Sequence, residues 1–482
     1  MSFLRRHVWA VLFVLLAGTL AVPFYAVQTP PLLDYPNHLA RTFVLTHLHD
    51  PAYHFGEIFH ADWKPYPYIL WDVLAVVLQH FIPAEAAGRL LLALATVLLP
   101  FSVAWFLHQA NPGQERLAFL ACPLAYCTLF LWGFTAYQLS VSFCFLMVGT
   151  WFWYRKQPTP WRAALFVLST FLAYFAHLLG FASAAFILVL YELTRWDWRR
   201  WLQLSAFLAP PSLLFLWARP GLVESKRLEM RPLADKFMML VAVPGHLYSD
   251  PLDRVFMWGI VLCLGVALVR NRELRIHWRW MFVLVGMFGV YMLLPYGWGT
   301  SSDIDVRLVV PFWMLLLAVA QVGRRARWIA VLAVVLTLVR VANVEGGFEY
   351  ESETCAPMDE AIALIQPGAT LFPLVDTCKD DDPLDYFYVH YWAHAVVRRG
   401  AISPYLFDIP GQTPMRINTP MYLSEGFWGH CYDVEPDWEQ LADDYDYIWS
   451  YGDQRYAAHI AGVADKVFER QRLVLYRVRP KS

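Results

Sequence analysis

The sequence predicts a mainly α fold: a polytopic helical membrane domain over residues 1–342, with about 11 crossings, followed by a C-terminal α/β soluble domain over 343–482. Two observations carry that expectation. The first is composition. Of 482 residues, 58% are hydrophobic and only 16% charged, against about 25% charged in soluble domains. Runs such as 8–27 and 279–296 approach the roughly 20 apolar residues that a bilayer crossing needs. The 22 Trp suit a chain with two lipid–water interfaces to occupy. A soluble single-core enzyme and a disordered chain are both excluded. The second is charge. Residues 343–482 carry 23 acidic and 11 basic side chains, a net of −12, which leaves 17 acidic and 27 basic, a net of +10, for 1–342. The basic part does not point to nucleic acid, because its charges sit in short loops between apolar segments, as cytoplasmic loops of membrane proteins do.

Charge also orients the segments. Arg5 and Arg6 precede the run 8–27. A secretory signal has a shorter apolar core of roughly 7–15 residues that ends in small residues, whereas this run is longer and holds Pro23, Phe24 and Tyr25 near its end. It reads as an uncleaved first crossing with the N-terminus in the cytoplasm. Five later clusters then read as cytoplasmic: Arg116; Arg155, Lys156 and Arg162; Arg195, Arg199 and Arg200; Arg270, Arg272, Arg275 and Arg279; and Arg324, Arg325 and Arg327. Apolar pairs between them make hairpins: 117–131 with 137–154, 163–176 with 180–193, 201–217 with 254–269, and 280–296 with 307–322. A last segment, 328–342, leads to the acidic domain. The run 69–82 has 14 residues, with Asp72 near its start and Pro83 after it; it is short for a crossing and suits an interfacial helix. With that run outside the lipid, 90–107 is the second crossing and the C-terminal domain is extracytoplasmic. The expected setting is a multi-pass protein of the plasma (inner) membrane, surrounded by membrane lipids.

Residues 28–88 then form one long extracytoplasmic loop, which begins LLDYPNHLARTFVLTHL from Leu32 and continues through HADWKPYPYILWDVL. Pro36 suits the first turn of a helix. Leu39, Phe43, Thr46 and His47 recur at helical spacing, which predicts a helix lying on the membrane surface. Asp34 stands just before it, and His38 and Arg41 follow one and two turns on.

An acidic residue soon after the first crossing, a surface helix, then a Lys-Pro motif leading into Tyr and Trp: this order resembles the GT-C glycosyltransferases, above all the protein O-mannosyltransferases and the lipid A aminoarabinose transferases. The matching pieces are Asp34 in LLDYPNHLAR, Lys64 in KPYPYILW, Arg89 in AAGRLL and Arg307 in DVRLVVPF. The resemblance covers most of 1–342 in layout, with few matching residues. It implies an integral-membrane, cell-envelope enzyme that moves a sugar from a polyprenyl-phosphate donor to a hydroxyl of a lipid, glycan or protein acceptor on the extracytoplasmic side, with inversion and without a cofactor. Such chemistry needs a carboxylate to accept the hydroxyl proton and cations to stabilise the leaving phosphate. Asp34 is the expected base, and Lys64 and Arg307 the expected phosphate partners. His38, Arg41, His177, Tyr137 and Gln138 are expected substrate contacts.

Each assignment has a plainer alternative. Asp34 can cap the surface helix, Lys64 can snorkel at the interface, and Arg307 can pair with Asp303 or Asp305. His38 and Arg41 can form a solvated helix face. His177, in AYFAHLLGF at the outer break between two apolar segments, can be a neutral histidine bonded to a backbone carbonyl.

One departure from the resembled families matters. They carry a second Asp in the next outer loop, whereas that loop here reads LWGFTAYQLS and offers only Tyr137 and Gln138. Pyrophosphate-using relatives pair acids around a divalent metal; with Asp34 alone well placed, no metal is expected. The outer loop 218–236 holds Arg219, Lys226, Arg227, Arg231 and Lys236 beside Glu224, Glu229 and Asp235, and reads as a loop with internal ion pairs or one that closes over a lipid phosphate.

No phosphate-binding glycine loop, dinucleotide fingerprint or zinc spacing is present. In the acidic domain, 358–366 and 385–399 read as helices, 370–375 and 446–451 as strands and 473–478 as an edge strand. Cys355–Cys378 is the expected pair for a disulfide, with Cys431 left over, and His390 and His394 are spaced to share a helix face but lack a third metal ligand. A lipid or solute transporter (flippase) and a noncatalytic membrane scaffold remain alternatives; the near absence of ionisable groups within the spans, Arg340 apart, disfavours a proton-coupled transporter.

Overall fold

The computed structural model of the protein describes residues 2–218, 228–270, 275–298, 301–322, 327–377, 388–424 and 435–480. The chain divides into two compact units. One comprises Met1–Gln28, Pro65–Trp71 and Leu90–Phe348; the other comprises Thr29–Lys64, Asp72–Arg89 and Glu349–Ser482. Most of the loop expected at 28–88 therefore belongs with the acidic C-terminal residues.

The first unit is helical. Among the described residues, two helices, Ala84–Ala110 and Trp328–Leu364, are long and apolar enough to cross a membrane; residues 84–89 of the first and 349–364 of the second belong to the second unit. Pro160 opens the helix Pro160–Ala176, where its missing N–H costs nothing. The carboxylate of Asp197 accepts from the amides of Arg199 and Arg200 and so starts Trp198–Trp217. Thr135–Lys156 packs against both Pro160–Ala176 and Leu178–Leu193. Small residues permit that approach: a Cβ on Gly180 would stand 2.5 Å from Oγ of Ser140. His177 alone separates Pro160–Ala176 from Leu178–Leu193, in an extended conformation.

Three expected segments differ. The run 117–131 is not one helix but a 3-10 helix, Glu115–Ala121, and a single turn, Thr128–Leu131. Pro123 between them has no amide hydrogen to continue a helix. The run 8–27 breaks after Ser2–Thr19, and Pro23 opens a separate turn, Pro23–Ala26. An additional helix, Leu233–Gly245, begins inside the expected outer loop. The run 69–82 forms the 11-residue helix Ile69–Gln79, about 17 Å long at 1.5 Å per residue.

The second unit contains a four-stranded sheet in the order Leu371–Asp376, Tyr447–Gly452, Leu473–Val478, Ala464–Arg470. The first pair is parallel and the others antiparallel. All six residues of Leu371–Asp376 are buried, as befits a parallel strand covered on both faces. Leu473–Val478, expected at the edge, lies inside the sheet; the edges are Leu371–Asp376 and Ala464–Arg470, and the charged, mostly exposed ADKVFER of the latter hides its strand character. The helix expected over 385–399 is Tyr391–Ala393 in 3-10 form followed by His394–Arg399, with 378–387 outside the described residues. Residues 358–364 end the long helix Arg327–Leu364 rather than forming one of their own. A short ladder, Phe59–Ala61 against Met415–Ile417, ties part of the 28–88 loop into this unit.

Candidate active site

In the first unit, Tyr137, His177 and Arg307 come together. Tyr137 stands in the first turn of Thr135–Lys156, and its hydroxyl donates to the carbonyl of Arg307. Nη1 of Arg307 lies 3.1 Å from Nε2 of His177, Nη2 donates to the Ser302 carbonyl at 3.2 Å, and the guanidinium stacks over the Phe134 ring at 4.4 Å. The rings of Tyr68 and Tyr137 meet His177 edge-on at 4.2 and 5.6 Å. Nδ1 of His177 also accepts the amide of Leu179 at 3.1 Å. A neutral imidazole has one nitrogen lone pair, yet both of these neighbours are donors, so one of them goes without an acceptor. Nε of Arg307 is buried with no hydrogen-bond partner. The cluster thus holds more donors than acceptors, a composition that suits an anionic oxygen.

Neither Asp303 nor Asp305 forms an ion pair with Arg307, although the charge of Arg307 still reaches Asp303. Arg231 takes both, at 2.9 Å to Asp303 and 3.1 Å to Asp305, while it stacks on Tyr296 at 4.6 Å. Lys236, fully buried, lies 3.5 Å from Asp305 and donates to the carbonyls of Tyr291 and Leu294. Two bases of the segment 218–236 are therefore paired, but with acids from outside that segment rather than within it; Arg219, Lys226 and Arg227 lie outside the described residues. Among the described residues Arg307 has no carboxylate partner. Gln138 does not join its neighbour Tyr137: its amide donates to the Ala125 carbonyl at 2.6 Å, a packing role the loop sequence did not reveal.

The second unit holds the other expected residues. Asp34 occupies the N-cap position of Tyr35–Thr46 but makes no side-chain cap bond. Its Oδ1 instead lies 3.6 Å from Nε2 of His390. His38 packs edge-on against Phe407 at 5.3 Å, and its Nδ1 has no partner. Burial, with the charges of Arg41 and His390 behind it, holds the His38 pKa well below the usual histidine value. Arg41, expected at the substrate, is buried and committed: its Nε and Nη2 both bond Oδ1 of Asp72, at 3.0 and 2.7 Å. A charge on a half-apolar helix needs such a partner, and Asp72 supplies it from Ile69–Gln79. Lys64 is exposed and pairs with Asp62 at 3.0 Å, an acid that Arg416 also approaches at 3.7 Å.

Two groups of residues escaped the sequence. Arg398 bonds Glu85 at 2.8 Å, Asp359 and the Thr29 hydroxyl, and Tyr391 bonds the same Asp359. It borders a cavity of about 280 Å³ with Gln79, Glu85 and His47. His394 is fully buried with neither ring nitrogen bonded, and burial followed by the charge of Arg398 lowers its pKa well below normal. Among the described residues the one group with metal-like spacing is His246, Asp250 and Asp253, where Asp253 is already bonded to Arg340, Asn343 and the Leu247 amide. Cys355 is buried; its expected partner Cys378 lies outside the described residues, as does Cys431.

No protein-family model and no curated protein sequence matches the chain. A solved structure does: ArnT from Cupriavidus metallidurans, determined bound to undecaprenyl phosphate, superposes with a TM-score of 0.58 at 12% sequence identity, over 98% of this chain and 100% of that one. ArnT is a GT-C lipid A aminoarabinose transferase. The fold of this chain is that of ArnT, over nearly its whole length.

Proposed function

We propose that the protein is a multi-pass glycosyltransferase of the inner membrane that transfers a sugar from a polyprenyl-phosphate donor to an acceptor hydroxyl on the extracytoplasmic side, with inversion and without a metal. In this reading the N-terminus is cytoplasmic and the C-terminal domain extracytoplasmic. The observation that carries it is the donor surplus around Arg307 in a chain with the ArnT fold. The ArnT structure contains undecaprenyl phosphate, and a lipid monophosphate is the kind of anion that such a cluster suits.

The roles follow from charge. As the acceptor oxygen attacks the anomeric carbon, its O–H bond breaks and the carbon–oxygen bond to the phosphate breaks, with the electron pair leaving on phosphate. Arg307 meets that growing negative charge, and its stacking on Phe134 and bond to Ser302 hold it in place before the reaction. His177, fixed by the Leu179 amide, turns an Nε2–H toward the same anion. Lys64 adds a mobile cation. Asp34 takes the hydroxyl proton as the general base. The test is binding of undecaprenyl phosphate to the purified protein, with transfer of label from the polyprenyl-phosphate sugars of a membrane extract in excess EDTA. Arg307→Ala is expected to weaken lipid-phosphate binding by roughly 10- to 150-fold, the worth of one charge-assisted hydrogen bond. Unchanged binding overturns the phosphate assignment, and transfer that returns only with added Mg²⁺ or Mn²⁺ overturns metal independence.

A further inference from the structure

We propose that His390 forms a proton relay with Asp34, receiving from its carboxylate the proton that Asp34 takes from the acceptor hydroxyl. This rests on the reading of Asp34 as the base and adds a second residue, supplied by the C-terminal part of the chain. Nε2 of His390 faces Oδ1 of Asp34 at 3.6 Å, a few tenths of an ångström beyond a hydrogen bond. Catalytic contacts commonly tighten by that much when substrate binds.

The surroundings fix this pair. The ring of Phe407 packs edge-on against both His38 and His390, at 5.3 and 5.0 Å. The Phe407 amide donates to Oδ1 of Asn37 at 2.8 Å, and Tyr35–Thr46 packs directly on Tyr391–Ala393 and His394–Arg399. The helix that follows Asp34 and the segment that starts at His390 are thus locked together inside one unit. Both members reach solvent, with side chains 19% exposed for Asp34 and 14% for His390, so a proton handed to the imidazole has a way out. The other histidines nearby cannot substitute. His394 is fully buried, and His38 is held neutral by burial and by Arg41.

The step balances. The acceptor O–H bond breaks and the proton sits on the Asp34 carboxylate while the new glycosidic bond forms and phosphate departs with its electron pair. The Asp34 O–H bond then breaks toward the Nε2 lone pair of neutral His390, regenerating the carboxylate, and the imidazolium releases its proton to water. His390 must start neutral. An imidazolium beside Asp34 could take up no proton and would make the carboxylate a weaker base. The elements packed around this pair carry other charged and titratable groups: His38, which the charge of His390 reaches, and Arg41 on the helix after Asp34, His394 and Arg398 on the helix after His390, and Tyr391 with its partner Asp359.

The experiment measures transfer from the labelled polyprenyl-phosphate sugars of a membrane extract as a function of pH, for wild type, Asp34→Asn, His390→Gln and His390→Ala. Undecaprenyl phosphate binding reports on intact protein. His390→Gln keeps a polar group of similar reach and is expected to lower turnover about 10- to 100-fold, below the roughly 100- to 10,000-fold that the base itself contributes. Donor KM stays put, and the acid limb of the pH profile shifts from its wild-type position. Added imidazole is expected to restore turnover to His390→Ala and not to His390→Gln. Wild-type turnover in His390→Gln beside an inactive Asp34→Asn overturns the relay and leaves the base standing. A loss in His390→Ala that imidazole does not relieve, with the pH profile unmoved, also overturns it. Normal turnover in Asp34→Asn removes the base and the relay together.

Discussion

Arg307 and Arg41 stand in different units and were both expected to meet substrate, and their surroundings treat them oppositely. Arg307 faces a histidine, a carbonyl and an aromatic ring and forms no ion pair with a carboxylate among the described residues. Arg41 spends two donors on one oxygen of Asp72. The first environment leaves positive charge available; the second cancels it. The contrast teaches that charge balance, rather than residue type, separates an anion site from a structural pair.

The largest effect should fall on Asp34. Asp34→Asn preserves shape and helix-capping ability but cannot accept a proton, so turnover is expected to fall by at least about 100-fold with donor binding unchanged. Transfer assays on folded protein decide it; near-normal turnover returns the role to another acid, with Asp62 the next in line. Arg41→Ala should do the reverse, costing about 3–5 kcal/mol of folding stability by leaving Asp72 buried and unpaired, with loss of activity only in proportion to lost folded protein. A well-folded Arg41→Ala variant with weakened lipid-phosphate binding would break the contrast with Arg307.

Some of this was legible in the sequence and some was not, for definable reasons. Asp34 stood out because a lone acid before a Pro-started helix is a local pattern, and Arg307 because it precedes a Pro at the start of an apolar run. His177 was visible as a polar residue interrupting two apolar segments. The fate of Arg41 was hidden because its partner comes from another helix, although Asp72 within an apolar run signalled that some cation had to meet it. His390 was noticed only for its spacing to His394, a helical pattern that pointed to a metal; its contact with Asp34 is set by tertiary packing. In the fold, Pro123 inside 117–131 was a readable warning against a continuous helix, whereas the strand Ala464–Arg470 was masked by its charges.

A smaller effect should appear as a pH dependence of the second unit. His38 and His394 are both held well below the ordinary histidine pKa, chiefly by burial. Unfolded histidines take up protons near pH 6.5 while these two do not, so the unfolded state binds more protons in the window below that value. Stability is therefore full above about pH 7 and falls as pH drops toward their folded pKa values, by up to about 1.4 kcal/mol per pH unit for each histidine. Hydrogen exchange of the 391–399 segment at pH 7.5 and 5.5 should show the loss of protection, and His394→Leu should reduce its slope. Equal protection at both pH values contradicts neutral burial of these rings.

Lys64 should give the smallest effect and the sharpest limit on the comparison. It is exposed and paired with Asp62, and exposed pairs contribute roughly 0–1 kcal/mol. Arg416 already stands 3.7 Å from the same acid and can hold it alone. Lys64→Ala is therefore expected to leave the melting temperature within error. If Lys64 adds a mobile cation for the donor phosphate, its loss should still raise donor KM by a few-fold, about 0.5–1 kcal/mol, and the increase should shrink as salt rises because an exposed charge is screened over about 10 Å at 0.1 M. A KM equal to wild type at low salt means that Lys64 serves Asp62 alone, and the phosphate role then belongs to Arg307 and His177 without help from the second unit.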